Sequence, residues 1–217
     1  MRNLPPIICW GIWIARNKSI FRDQNTPFEV IAIQSLAILA SIPPAESPQK
    51  PPKSKIIHIR DGIPWAFFDG ASQNNAAGAG IVIHLSASHS LKAAVGLGPG
   101  SNNFAELSAL KLLLCWLIRK SILAVQIYGD SLNVINWVTG KYRCQNYMLN
   151  PLLEEILSLK PRFNPFFIDH IYRDRNEEAD RASKEGLQLA VDAWMISELQ
   201  NDQIRVSDLH PLLAPVS

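Results

Sequence analysis

The stretch Trp65-Ala66-Phe67-Phe68-Asp69-Gly70 decides the fold. Its apolar run reads as a strand, and an acid closes it. Val125-Gln126-Ile127-Tyr128-Gly129-Asp130 repeats the pattern. Glu106 follows Asn102-Asn103-Phe104-Ala105 and enters the apolar run Leu107 to Ile118, and Asp180 sits in Asn176-Glu177-Glu178-Ala179-Asp180-Arg181-Ala182. These surroundings are wrong for an ordinary solvated charge. A buried charge is costly unless it is paired or coordinates metal. Hard oxygen ligands with no accompanying Cys or His cluster suit Mg²⁺ or Mn²⁺. Carboxylates converging from different elements are what a two-metal phosphodiester site needs.

Composition narrows the class. The chain has 217 residues, is 47% hydrophobic and carries a net charge of +2. That length holds one ordinary domain plus extra segments. Between Ser54 and Gln200 there are 14 basic and 14 acidic residues. Two divalent ions would offset four of those acids and leave the surface positive. Cys9, Cys115 and Cys144 are widely spaced, with no CxxC pair. This argues against a zinc site or disulfide framework and fits a reducing, intracellular compartment. No run of 18 apolar residues is free of charge, so no membrane span is expected. Leu4 to Ala15 is apolar, but Arg16 and Lys18 follow it rather than precede it, which is the wrong order for a secretory signal.

The chain also divides by composition. Ile7 to Phe21 reads as a short amphipathic helix, and a second helical stretch runs from about Pro27 to Ile42. Trp10, Trp13 and Trp116 read as core residues. Five prolines between Pro43 and Lys53 exclude helix and central strand, so 43–53 is expected to be an extended linker between a helical segment, 1–42, and a domain, 54–200. Within that domain the pattern predicts strands at Trp65–Asp69, Gly78–Leu85, Leu91–Leu97, Ala124–Asp130 and Phe163–Tyr172. Helices are predicted at Phe104–Arg119, Ser131–Val138, Tyr147–Lys160 and Asn176 to about Leu199. The first three strands form an antiparallel meander. Residues 201–217, with Pro211 and Pro215, are expected to be a flexible tail.

This order of elements, with acids at those points, resembles ribonuclease H of type 1. More narrowly it resembles the plant kind found in non-LTR retrotransposon reverse transcriptases and related free-standing plant proteins. The residues that carry the likeness are Phe68-Asp69-Gly70-Ala71-Ser72, Asn102 to Leu107, Gly129-Asp130-Ser131, and His170-Ile171-Tyr172-Arg173 with Asn176 to Asp180. Trp10 to Asn17 also resembles the stretch preceding this domain in those elements. The resemblance implies an α/β fold with a mixed five-stranded sheet and helices on both faces. It implies an endoribonuclease that cleaves the RNA strand of RNA–DNA hybrids with two Mg²⁺ ions, Mn²⁺ being the alternative. Asp69, Glu106, Asp130 and Asp180 would be the catalytic metal ligands, nucleic acid the partner, and the chain a monomer with no membrane association. Gln73, Asn74, Asn75, Asn102, Asn103 and Ser131 stand where the family contacts substrate.

The sequence also departs from the family. Many members carry a catalytic His in a glycine-flanked loop between the last strand and last helix. Here Tyr172-Arg173-Asp174-Arg175 replaces that loop. An ungapped alignment puts His170 at the family position, while the element pattern puts it inside a strand, and both alignments stay open. The basic helical protrusion of some relatives is absent, because Gly140 to Tyr147 is short. Taken singly, Asp69 reads equally as a turn residue, Asp130 as a helix cap, Glu106 as a first-turn acid and Asp180 as part of a solvated face. Together they keep the family order. Two other functions compete with cleavage: a domesticated fold that binds nucleic acid or protein without cutting, and a fragment of a longer polyprotein. Cutting the chain between Pro43 and Lys53 is expected to leave the following domain folded. Loss of its circular dichroism signal would make the N-terminal helices part of its core.

Overall fold

The computed structural model describes residues 4–22, 24–41, 57–201 and 203–209. The chain forms two compact units, Met1–Ser54 and Lys55–Ser217. In the first, α1 (Leu4–Arg22) packs on α2 (Phe28–Ser41). They meet closely at Gly11, where a Cβ would lie 3.1 Å from Ile31 Cγ2 and 3.3 Å from Ser35 Oγ. Trp116 is buried as expected, but Trp10 and Trp13 are 54% and 58% exposed. Two helices share a single contact face, so residues off that face meet water. The expected linker, 43–53, lies outside the described residues. No helix among those described is long and apolar enough to cross a membrane.

The second unit starts with the meander β1 (Trp65–Gln73), β2 (Ala76–Ser86) and β3 (His89–Gly98). It continues through α3 (Asn102–Arg119), β4 (Val125–Gly129), α4 (Leu132–Val138), α5 (Asn150–Leu159), β5 (Phe166–His170) and α6 (Glu177–Gly186), and closes with β6 (Trp194–Gln200) and β7 (Gln203–Leu209). One mixed sheet has the order β5-β4-β1-β2-β3-β6-β7. β4 pairs in parallel with β1 and with β5, and the other pairs are antiparallel. Asn74 and Asn75 make the β1–β2 turn with φ of 50° and 62°. Two consecutive positive φ values suit a two-residue hairpin turn, where asparagine is at home.

The expected α/β class and meander are present, but among the described residues the sheet has seven strands rather than five. The last helix ends at Gly186 instead of running to about Leu199. Asp192, at φ 63°, turns the chain back, and Trp194 to Gln200 pairs with β3 from Val95 to His89. Residues 203–209, expected in a tail, form β7 against β6. The added hairpin covers the edge that β3 would otherwise expose.

The two faces of β1 do different work. Ala66 and Phe68 are fully buried and join Ile81, Ile83, Ile127 and the leucines of α3 in the core. Trp65, Phe67 and Asp69 point to the opposite face, because side chains alternate along a strand. There α6 lies against the sheet. Asp69 pairs across the strands with Gly80, and Ala71 with Gly78. A Cβ at Gly80 would overlap Ala179 O and Ser183 N, and one at Gly78 would overlap Ser183 O. The helix answers with small buried residues, Ala179, Ala182, Ser183 and Gly186. The segment before β1 is pinned by the fully buried Gln126. Its amide accepts from Arg60 N at 2.9 Å and donates to Arg60 O and Ile63 O at 2.8 and 2.9 Å.

Gly80→Ala is expected to lift α6 and destabilise the domain by about 3 kcal/mol, the upper range for overpacking. Urea unfolding checks this, and an unchanged midpoint would refute the close helix–sheet contact.

Candidate active site

Asp69 and Asp130 are brought together by strand register. Phe68 pairs in parallel with Gly129, and each acid follows its pair. Gly129 has no side chain because the Phe68 ring occupies that space. Glu106 arrives from the other side of the sheet, in the first turns of α3. Ser101 caps that helix, its Oγ accepting from Phe104 N at 3.3 Å. A Cβ at Gly70 would overlap the backbone of Ala105 and Glu106, so glycine there lets the start of α3 touch β1. Ligand oxygens of Asp69, Glu106 and Asp130 all lie within 4.8 Å of one another.

Two further residues lock these acids. Ser183 Oγ makes a short hydrogen bond to Asp69 Oδ2 and lies 2.8 Å from Asp180 O. A hydroxyl has one proton, so a charged Asp69 takes it, whereas a neutral Asp69 can donate into Ser183 instead. Asn176, 1% exposed, donates through Nδ2 to Phe68 O at 2.9 Å and to Asp130 Oδ1 at 3.0 Å. It bridges the ends of β1 and β4. Neither residue was expected in the site from sequence, although Asn176 opens one of the stretches that carry the resemblance.

The electrostatics are those of crowded like charges. Burial first, then Asp69 and Asp130, push Glu106 up from 4.5 to about 9. Burial raises Asp69 from 3.8 to about 7, with the Ser183 hydrogen bond opposing and Asp130 adding. Glu106 Oε2 is buried with no hydrogen-bond partner. Three converging carboxylates with an orphaned oxygen fit a hard divalent cation. Asp180 differs. Burial would raise its pKa, but hydrogen bonds from Lys184 and Arg173 outweigh that and hold it below 3.8.

A cleft of about 300 Å³ is lined by Asp69, Gly70, Ala71, Ser72, Gln73, Asn102, Glu106, Asp130, Arg173, Asp180, Lys184 and Leu187. The structure thus brings all four acids, Gln73 and Asn102 to one cleft. Asn103 is half-buried in the first turn of α3, outside the lining residues. Asn74 and Asn75 stand exposed at the hairpin turn. Ser131 occupies the cap position of α4 without a side-chain cap bond. His170 ends β5 and lines a different cavity with His58, Tyr128 and Lys141. Its ring centroid is 5.9 Å from that of Tyr172.

Comparison with known proteins follows the same lines. A family model described as reverse transcriptase-like matches residues 67–186. RNase H1 from the halophilic archaeon Halobacterium salinarum superposes with TM-score 0.54 at 28% identity, over 59% of this chain and 100% of that one. An RNase H1 isolated from compost by a metagenomic approach gives 0.52 at 25% identity, over 58% and 95%. That compost enzyme in complex with RNA/DNA hybrid gives 0.50 at 24%, over 57% and 96%, a likeness of fold alone.

The raised acids set a pH dependence. Their folded pKa values, about 7 and about 9, exceed the ordinary 3.8 and 4.5. The folded state therefore holds extra protons across that window, and their contribution to stability is lost as pH rises through the folded values. The melting temperature of metal-free protein is expected to fall as pH rises from 5 to 9. Mg²⁺ should reverse the fall and release protons. Glu106→Gln should flatten the profile. Calorimetry in EDTA checks this, and a flat wild-type profile would contradict the buried-acid account.

Proposed function

We propose that this chain, which belongs to the reverse transcriptase-like family and has the ribonuclease H fold, is a metal-dependent endoribonuclease that cleaves the RNA strand of RNA–DNA hybrids. The observation that carries the reading is the convergence of Asp69, Glu106 and Asp130, with Glu106 Oε2 lacking a protein partner. Binding of hybrid by a solved relative of the same fold supports the substrate class. Asp69, Glu106 and Asp130 would hold Mg²⁺ or Mn²⁺, with Asp180 as the fourth ligand when two ions are bound. Such ions supply activation of water and neutralise charge at the scissile phosphate.

The chain's own residues do the rest. Asp69 sits in the middle of β1 and Asp130 directly follows β4, so their oxygens are rigidly held and need little reorganisation. Ser183 and Asn176 fix the rotamers of those two acids. Gln73 and Asn102 line the cleft and offer amide donors and acceptors to the ribose 2′-hydroxyl, the group that separates RNA from DNA. Asn103, Asn74, Asn75 and Ser131 are outside the residues that line the cleft and would contact backbone phosphates of a longer substrate. A retroelement-type origin agrees with the family match.

A second reading has one observation in its favour. Both oxygens of Asp180 are already engaged by Arg173 and Lys184. A domain so arrested would bind hybrid without cutting it. A labelled hybrid in Mg²⁺ separates the two readings. Cleavage of the RNA strand with intact DNA, lost in Asp69→Asn, is the expected result. Asn102→Ala should lower kcat/KM about tenfold, equivalent to ~1.4 kcal/mol of lost polar contact. A gel shift without cleavage would select the binding-only reading.

A further inference from the structure

Asp180 lines the same cleft as the other acids yet does not join their convergent oxygens. The reason is visible. Arg173 Nη2 lies 2.6 Å from Asp180 Oδ1, and Lys184 Nζ lies 2.5 Å from Oδ2. Each oxygen therefore faces a cation. The three residues come from one short piece of chain. Arg173 opens the 3₁₀ turn Arg173–Arg175 before α6, Asp180 is in the first turn of α6, and Lys184 is four residues later.

The cations are far more exposed than the acid they hold. Side-chain exposure is 72% for Arg173 and 58% for Lys184, against 17% for Asp180. Ion pairs with one partner so solvated are weak, about 0–1 kcal/mol each. A phosphodiester competes well for such cations, because guanidinium and ammonium both bind phosphate strongly. Both cations also line the cleft. We propose that Arg173 and Lys184 form a binding site for a substrate phosphodiester, and that occupying it releases Asp180 to complete the acidic site. This inference rests on the metal-dependent reading above. The ion pairs hold one of the four acids apart from the other three while the cleft is empty. A phosphate then takes over both cations and leaves the freed carboxylate beside the other three. The same residues thereby read the substrate and assemble the site.

The test counts Mn²⁺ on the full chain by electron paramagnetic resonance, so it does not depend on turnover. The probe is a short RNA–DNA hybrid with 2′-O-methyl ribose throughout. Without hybrid, Asp180→Asn is expected to leave Mn²⁺ affinity within about twofold of wild type. With hybrid it should weaken affinity about tenfold or more. In the double variant Arg173→Ala, Lys184→Ala, that dependence on Asp180 should appear without hybrid. Circular dichroism confirms that each variant is folded. The salt slope of hybrid binding should drop by about 2 in the double variant, as two phosphate contacts are lost. Equal effects of Asp180→Asn with and without hybrid, or an unchanged salt slope, would overturn the proposal. Inorganic phosphate acting as well as hybrid at equal concentration and ionic strength would overturn the phosphodiester assignment. Mn²⁺ binding that survives Asp69→Asn would instead bring down the metal-dependent reading on which the inference rests.

Discussion

The backbone contact between α6 and β2 is what the rest of the site depends on. At Gly78 and Gly80 there is no room for even a methyl group. Hydrophobic side chains would hold a helix about a side chain's thickness away from the sheet. Here that spacing is removed, and the helix rests on the strand itself. Only at this distance does Ser183 reach Asp69. The same seating places Asn176 where it spans Phe68 O and Asp130. Asp180 comes to the cleft by the same route. A bulkier residue on β2 would disturb three of the four acids through one displacement.

Glu106 depends on a second close contact, on the opposite side of the sheet. Gly70 lets the first turns of α3 touch β1 beside Asp69. The acids are therefore clamped between helices from both faces rather than hung from loops. Clamping has an electrostatic cost, since Glu106 and Asp69 are both driven toward their neutral forms. The apolar core beneath supplies the stability that permits it. Phe68, Leu107, Leu110 and Ile127 are fully buried next to the acids they carry. The arrangement stores a preference for positive charge in a rigid frame, a common trade between stability and function.

Much of this was legible in the sequence. Asp69 and Asp130 each follow an apolar run, and although either alone suits a turn or a cap, together with Glu106 and Asp180 they keep the family order; β1 itself continues past Asp69 to Gln73. Strands β1 to β4 follow the two-residue alternation or a short apolar run. The C-terminal end misled. Leu187 to Gln200 is rich in Leu, Ala, Met, Glu and Gln, which favour helix, yet its second half, Trp194 to Gln200, pairs with β3 as a strand. Tertiary pairing overrode local propensity. Ile204 and Val206 do alternate with polar residues, but nearby prolines hid the strand among loop signals. What local patterns could not reveal were contacts between distant residues. Ser183 meets Asp69 across 114 positions, and Asn176 meets Phe68 across 108. The Arg173–Asp180–Lys184 set was also invisible, since sequence spacing says nothing of where a loop arginine turns.

The parallel register of β1 and β4 has a consequence for how such a chain can diverge. Asp69 and Asp130 meet because each stands one residue beyond the paired Phe68 and Gly129. Adding or deleting a single residue inside either strand would send its acid to the opposite face of the sheet. The turns and connections between the strands are under no such constraint. The meander can lengthen, the hairpin turn at Asn74–Asn75 can change, and α3 can gain or lose a turn at its far end. Insertions and deletions in homologous sequences should therefore gather in the connections and avoid the few residues on the near side of each acid. A family built this way can lose nearly all recognisable sequence identity while keeping its acids within reach of one another.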